Sequence, residues 1–235
     1  MEQPALLWLP GLLNDATLYE RQAEALANLA RHRIVDLTGA DSIEALADAA
    51  LEEAPDGPFV LIGLSMGGYV AFEVYRKAPE RVRALVLLST TAAPDTPEVT
   101  ATRKKLIALA ERDFEAVIEA QLARVTHPDH AATPEVGSVF QSMAMGLGSE
   151  VFVRQMRAII GRPDSRPTLA RIKCPTLVIC GRNDVITPPD GHREMAAAIP
   201  GAQLKIIEDC GHLPPLEQPD QVTEILRDWL RGLPD

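Results

Sequence analysis

The pentapeptide Gly63-Leu64-Ser65-Met66-Gly67, a G-x-S-x-G pattern, decides the fold that this sequence predicts. An uninterrupted apolar run at residues 59–62 precedes it and predicts a buried strand, while Met66–Lys77 is apolar on nearly every side and predicts a buried helix. A serine on such a sharp strand-to-helix turn presents its hydroxyl above the edge of a sheet, and glycine two positions before and after it makes room for the turn. We therefore predict that Ser65 is a nucleophile.

Short apolar runs and helical patterns alternate on both sides of this turn. The predicted strands lie at residues 5–9, 33–37, 59–62, 84–88, 176–179 and 204–207, and the predicted helices at 17–29, 43–53, 66–77 and 218–230. Uninterrupted apolar strands that alternate with helices indicate a mostly parallel sheet with helices on both faces. The sequence therefore predicts an α/β protein.

The alternation stops between residues 92 and 171, where no segment predicts a strand. Helical patterns fill this stretch near residues 97–111, 114–125, 134–145 and 150–160. Some 80 residues of helix between two strands exceed a normal crossover, so we predict a helical cap (92–171) inserted into a core formed by 1–91 and 172–235. A separate helical domain is the alternative; the sheet-like segments at both ends of the stretch favour the insertion.

The residues around the turn resemble the α/β-hydrolase superfamily, in particular its bacterial carboxylesterases and lactonases. Residues 63–71 resemble the nucleophile elbow of that family, and residues 78–87 resemble the segment that follows it. The resemblance covers about 1–95 and 172–235 and is much weaker in the predicted cap. It implies the α/β-hydrolase fold and a catalytic serine, acid and histidine in that chain order.

Asp184 matches the position of the family's acid. It ends the segment Cys180-Gly181-Arg182-Asn183-Asp184, in which Gly181 is interpreted as a turn residue after the predicted strand 176–179. The resemblance implies that this carboxylate orients the catalytic histidine. Asp190 on the same loop and Asp95 after the preceding strand are the competing carboxylates.

His212 matches the position of the family's catalytic histidine. It follows Gly211 in the loop between the predicted strand 204–207 and the last helix, and the resemblance implies that it acts as the base. The other histidines lie before the elbow, inside the predicted cap or at the start of a helix: His32, His127, His130 and His192.

The segment Leu7-Trp8-Leu9-Pro10-Gly11-Leu12 resembles the family's oxyanion segment, which usually reads His-Gly after the first core strand. Pro10 stands where that histidine usually is. The departure does not remove a donor, because the oxyanion hole uses backbone N–H groups. The resemblance implies the N–H groups of Leu12 and Met66 as donors; a plain loop after a strand is the alternative interpretation of Pro10-Gly11.

The net charge is −10 and the isoelectric point is near 5.0, which argues against a nucleic-acid partner or an anionic membrane surface. Residues 1–4 lack the positive charge of a signal peptide, and no apolar run approaches the roughly 20 residues that cross a bilayer, so a cytoplasmic location is expected. The sequence has no dinucleotide-binding glycine pattern, no P-loop and no metal-ligand spacing, so we expect no cofactor and no metal.

The resemblance and the residues together predict a serine hydrolase that cleaves small or medium carboxylic esters through an acyl-enzyme intermediate. A serine nucleophile disfavours dehalogenase and epoxide-hydrolase chemistry, and Tyr69 replaces the arginine usual in menaquinone-pathway members. A lactonase, thioesterase or C–C bond hydrolase is the alternative, and a ligand receptor with little turnover is a more distant one. Six apolar cap residues could line an acyl pocket, although we favour a packing role for them: Phe140, Met143, Met145, Leu147, Phe152 and Met156.

Overall fold

Six strands form one sheet in the computed structural model, which describes residues 3–234. They are β1 (Ala5–Leu9), β2 (Arg31–Ile34), β3 (Phe59–Leu64), β4 (Val82–Leu88), β5 (Thr176–Gly181) and β6 (Gln203–Ile207). Their order is β2-β1-β3-β4-β5-β6, and every pairing among them is parallel. Met1 and Glu2, on which part of the signal-peptide argument rests, lie outside the described residues.

Eleven α-helices accompany these strands within residues 3–234. They are α1 (Glu20–Ala25), α2 (Ile43–Glu53), α3 (Met66–Lys77), α4 (Pro97–Ala110), α5 (Phe114–Val125), α6 (Pro128–Ala131), α7 (Val139–Ile160), α8 (Arg166–Leu169), α9 (Pro189–Ala198), α10 (Pro214–Glu217) and α11 (Pro219–Arg231). Two 3-10 turns and one π turn complete the set: Ala16–Tyr19, Pro79–Arg81 and Pro134–Ser138. None of these helices is long and apolar enough to span a lipid bilayer.

The strand order places helices on both faces of the sheet, as the sequence predicts. The connections through α2, α3 and α9 run across the sheet in one direction, and the connection through α1 runs in the other. Because such crossovers are right-handed, α1 lies on the face opposite to the other three. The packing agrees, since α1 contacts α11 while α2 contacts α3.

The predicted strand at residues 33–37 is wrong in its bounds, because β2 spans Arg31–Ile34. This strand lies at an edge of the sheet, where alternate side chains stay exposed and charged residues are tolerated. The apolar run within residues 33–37, on which the prediction relied, extends past the last residue of β2 that pairs in the sheet. Similarly, the predicted helix 17–29 is a 3-10 turn followed by the short α1, which ends at Ala25.

Residues 92–171 contain helices α4 to α8 and no strand of the described sheet. The helix predicted at 134–145 is the π turn Pro134–Ser138 followed by the first part of α7, and the helix predicted at 150–160 is the part of α7 after the interruption at Gly148. Gly148 has a φ of 82°, a value that glycine adopts without the steric cost other residues carry. We call residues 92–171 the helical segment below.

Candidate active site

Ser65 lies in a strained turn between β3 and α3. Its φ of 53° and ψ of −112° fall where residues other than glycine are rare. The end of β4 holds this backbone: Ser65 donates its N–H to the Leu88 carbonyl oxygen at 3.0 Å, and Thr90 Oγ1 donates to the Ser65 carbonyl oxygen at 2.8 Å. The turn thus keeps its conformation through hydrogen bonds on both sides.

The two glycines of the G-x-S-x-G pattern are required by close contacts between backbones. A Cβ on Gly63 would lie 2.4 Å from the Gly67 carbonyl oxygen, and a Cβ on Gly67 would lie 2.0 Å from the Leu9 carbonyl oxygen. Both distances are far below contact distance and involve backbone atoms. Only glycine therefore lets α3 approach β1 and β3 as closely as it does.

The structure brings Ser65, His212 and Asp184 into one hydrogen-bonded chain. Ser65 Oγ donates to His212 Nε2 at 2.8 Å, and His212 Nδ1 donates to Asp184 Oδ2 at 2.8 Å, in the tautomer that this network requires. The three residues follow β3, β6 and β5, so they meet where the carboxyl ends of the parallel strands share one edge. His212 and Asp184 are both buried.

Asp184 is ionised in this setting. Its Oδ1 accepts the N–H groups of Ile186 and Thr187 at 2.9 Å each, and its Oδ2 accepts the Thr187 hydroxyl at 2.8 Å. Burial acts to raise the pKa of Asp184, but the electrostatic interaction and hydrogen bond with His212 and the hydrogen bonds from Thr187 outweigh it, so the pKa is lowered from its ordinary value. A negative charge therefore faces the Nδ1 side of His212.

The competing carboxylates lie elsewhere. Asp190 has a side chain that is 90% exposed and pairs with Arg193 at 2.6 Å. Asp95 is buried between Arg103 and Arg162, each at 2.7 Å. Within residues 3–234, neither carboxylate forms a hydrogen bond with a histidine.

Leu12 and Met66, the residues predicted to form an oxyanion hole, both lie close to Ser65, and their role stays a prediction. Leu12 lies in the turn after β1 and lines the same cavity as Ser65, and Met66 is the first residue of α3, where the N–H has no intrahelical partner. The neighbouring Leu13 has a φ of 57° and donates its N–H to Gln155 Oε1 at 2.9 Å. Gln155 is a buried residue of α7, so the helical segment supports the turn that carries Leu12.

A profile of the alpha/beta hydrolase family matches residues 6–225, which is most of the chain. The chain belongs to the alpha/beta hydrolase family. One curated relative is the pimeloyl-[acyl-carrier protein] methyl ester esterase of Neisseria meningitidis serogroup C / serotype 2a, which is 30% identical over 81% of this chain and 76% of its own.

Two solved structures resemble this hydrolase closely. An esterase from Thermogutta terrifontis, with malate bound, has a TM-score of 0.89 and 34% identity over 99% of this chain and 91% of its own. The enol-lactonase from Burkholderia xenovorans LB400 has a TM-score of 0.87 and 26% identity over 99% of this chain and 93% of its own.

Gly181, which the sequence suggests is a turn residue, has a different role in this hydrolase. It is the last residue of β5, and a Cβ there would lie 2.1 Å from the Gly211 carbonyl oxygen and 2.2 Å from that of Cys210. Glycine is needed because the loop that carries His212 passes directly over this strand end.

His192, which the sequence offers only as a helix residue, supports the elbow from behind. It is fully buried, its Nδ1 donates to the Pro188 carbonyl oxygen at 3.2 Å, and its Nε2 accepts the Thr90 N–H at 3.0 Å. Burial lowers its pKa, so the ring is held neutral. Thr90 in turn contacts the Ser65 carbonyl, which links α9 to the elbow.

Glu217 is a second buried group that the sequence alone did not identify. Its side chain is fully buried, and its oxygens accept the N–H groups of Gly211 and Leu213 at 3.0 Å, on either side of His212. The same carboxylate accepts the His127 N–H at 2.7 Å and contacts His130 Nδ1 at 3.0 Å. It therefore links the His212 loop to the helical segment.

A cavity of about 350 Å³ opens beside Ser65 and His212. Its walls are mainly apolar and come from the turn after β1, from the loop after β5 and from α4, α5 and α7. Of the six apolar residues considered for an acyl pocket, Phe140 lines the cavity. Met143, Phe152 and Met156 are packed in the interior, Leu147 is partly buried against the core, and Met145 is 53% exposed. Within residues 3–234, no cluster of three metal-ligating side chains occurs.

Proposed function

We propose that this hydrolase is a serine carboxylesterase that cleaves small or medium carboxylic esters through an acyl-enzyme intermediate. The observation that carries the proposal is the pair of 2.8 Å hydrogen bonds from Ser65 to His212 and from His212 to Asp184. Their position beside a mainly apolar cavity supports an acyl substrate. The likeness to esterases supports ester bonds as the target.

In the acylation step, Ser65 Oγ attacks the carbonyl carbon of the ester while His212 Nε2 takes the hydroxyl proton. A C–O bond forms, and the carbonyl electrons move onto the carbonyl oxygen to give a tetrahedral oxyanion. The imidazolium then passes its proton to the leaving alkoxide oxygen as the ester bond breaks. An alcohol leaves, and the acyl group stays on Ser65. Asp184 stabilises the imidazolium throughout, because it remains ionised beside Nδ1.

Deacylation repeats these steps with water. His212 Nε2 takes a proton from a water molecule, whose oxygen attacks the acyl carbon. Collapse of the second tetrahedral intermediate returns the proton to Ser65 Oγ and releases the carboxylic acid. The N–H groups of Leu12 and Met66 donate to the oxyanion in both steps, and each such donor stabilises the transition state by about 3–4 kcal/mol.

The helical segment acts as a cap in this proposal. Residues of α4, α5 and α7 line the cavity above Ser65, so they surround the acyl group once it is bound. Excluding water from the cavity strengthens the hydrogen bonds of the reacting groups.

The substitution Ser65→Ala tests the proposal. We expect kcat/KM for p-nitrophenyl butyrate to fall by about ten-thousand-fold or more, because the nucleophile is lost while the fold is kept. The matched control is Ser142→Ala, an exposed serine on α7, which should keep parental activity. Hydrolysis retained in a folded Ser65→Ala protein would overturn the proposal.

Lactone hydrolysis is the second candidate, which the likeness to an enol-lactonase favours. A lactone presents the same acyl carbonyl to Ser65, but its alcohol stays attached to the acyl chain. A panel of lactones and open esters of equal carbon number separates the two candidates by kcat/KM. Labelling of Ser65 by a fluorophosphonate, with negligible turnover of the whole panel, would instead favour the receptor alternative.

A further inference from the structure

Gln121 is a buried amide in the wall of the cavity beside Ser65. It lies on α5, whose buried residues are Val117, Ile118, Gln121 and Leu122, so it is the polar member of an otherwise apolar face. Its exposure is only 6%, and within residues 3–234 its side chain forms no hydrogen bond. A buried amide of this kind normally has a partner.

The other buried glutamines of the described chain do have partners. Gln22 donates to the Pro215 carbonyl oxygen at 3.1 Å. Gln155 accepts the Leu13 N–H at 2.9 Å and donates to the Leu37 carbonyl oxygen at 3.1 Å. Both have a structural role that explains why a polar residue is buried. Gln121 has no such role within residues 3–234.

The side-chain amide of Gln121 is accessible from the cavity. Some polar atoms of the described chain are fully buried and have no hydrogen-bond partner, Asn14 Nδ2 and Gln22 Oε1 among them, but the amide atoms of Gln121 are not in this group. Its hydrogen-bonding capacity is therefore directed to whatever fills the cavity. An alkyl chain there would leave the amide unpaired, whereas an acyl group with a matching polar atom would pair with it. The difference corresponds to roughly 10- to 100-fold in affinity.

Charged side chains also line the cavity, but each has its own setting. Arg103 shares the buried Asp95 with Arg162, each at 2.7 Å. Arg124 and Glu98 are both exposed, and their charges are opposite. The amide of Gln121 is itself uncharged, so it selects by hydrogen bonding and not by charge. A neutral group that accepts or donates a hydrogen bond suits an amide best.

We propose that Gln121 determines specificity by selecting acyl groups that carry a neutral hydrogen-bond acceptor, such as a ketone, over plain alkyl chains. The inference rests on the proposed function and names the substrate class of the same site. The amide N–H₂ of Gln121 donates to the ketone oxygen.

The test compares kcat/KM for methyl heptanoate with that for its 3-, 4-, 5- and 6-oxo derivatives, measured by release of acid. We expect at least one oxo position to exceed the plain ester by about ten-fold or more in the parent. Gln121→Leu should abolish or reverse this ratio, because leucine pairs with no oxygen. Gln121→Glu should abolish it as well, since an ionised carboxylate has no proton to donate. Gln221→Leu, an exposed position on α11, is the matched control and should leave the ratio unchanged.

Each outcome decides the inference. A parent that prefers methyl heptanoate to every oxo derivative would overturn it, and so would a preference that survives in Gln121→Leu. Failure of the proposed function is recognised separately, since Ser65→Ala would then retain hydrolysis or the parent would hydrolyse no ester at all. Fluorophosphonate labelling of Ser65 in each variant shows that the site remains folded.

Discussion

At the scale of one residue, we expect the buried carboxylate of Glu217 to position His212. It accepts backbone N–H groups from Gly211 and Leu213, so it fixes the segment on both sides of His212. It also accepts the N–H of His127, in the helical segment. An amide in its place would direct an N–H₂ group at one of these backbone donors. One set of contacts would then be lost, whichever way the amide is oriented.

We therefore expect Glu217→Gln to lower kcat by about ten-fold or more with little change in KM, because His212 acts in the transition state and not in substrate binding. Steady-state kinetics, corrected for the fraction of Ser65 that a fluorophosphonate labels, give this comparison. Glu73→Gln is the matched control, since Glu73 pairs with Arg76 on α3, away from His212. A lower melting temperature with unchanged kcat would mean that Glu217 serves the fold alone.

The sequence led to Ser65, Asp184 and His212 because each follows a recognisable strand with a characteristic local pattern. The supporting residues have no such pattern. Gln155 contacts Leu13 across 142 positions, and Glu217 contacts His127 across 90. Contacts made only in space leave no mark on the local sequence, so a single chain does not reveal them.

At the scale of elements, the contact between α3 and β1 depends on one glycine. A Cβ on Gly67 would lie 2.0 Å from the Leu9 carbonyl oxygen, and neither backbone can move without disturbing the sheet. We expect Gly67→Ala to lower the free energy of unfolding by about 3 kcal/mol or more, or to prevent folding. Gly191 on α9 has an ordinary φ, and a Cβ there would meet no atom within 4 Å, so Gly191→Ala should raise stability by up to about 1 kcal/mol.

Urea unfolding of the parent and both variants measures these changes. The opposite signs expected for the two substitutions separate a contact effect from a general effect of replacing glycine. A Gly67→Ala protein as stable as the parent would show that α3 can move away from β1 at little cost.

The bounds of helices and strands were predictable from the sequence where burial requires an apolar pattern. α3 has the predicted bounds, and β3 extends the predicted strand by two residues, because β3 is a continuous buried apolar run and α3 is buried on most of its sides. The edge strand β2 was misplaced, since Arg31 and Arg33 pair in the sheet with their side chains partly in solvent. Burial on one side only leaves a weaker signal than burial on both.

At the scale of the whole molecule, the free energy of unfolding should depend on pH, because burial holds some titratable groups in one protonation state in the folded protein. Burial lowers the pKa of His192, so the folded protein keeps this ring neutral, while the unfolded chain takes up a proton as the pH falls below about 6.5. The unfolded state then binds more protons, so stability is lost as the pH falls through this range. Asp184, whose pKa is also lowered, gives a second loss in the same direction only below about pH 4.

The net charge of −10 at pH 7 has the opposite effect, because acidification toward the isoelectric point near 5.0 relieves repulsion between carboxylates. The variant His192→Gln separates the two effects, since glutamine does not titrate and the net charge is otherwise the same. We expect the free energy of unfolding to fall less between pH 7.5 and 5.5 in His192→Gln than in the parent, by up to about 1.4 kcal/mol. Urea unfolding at both pH values gives this difference. Parallel changes in the two proteins would mean that His192 becomes protonated in the folded state, with its contacts to Thr90 and Pro188 remade.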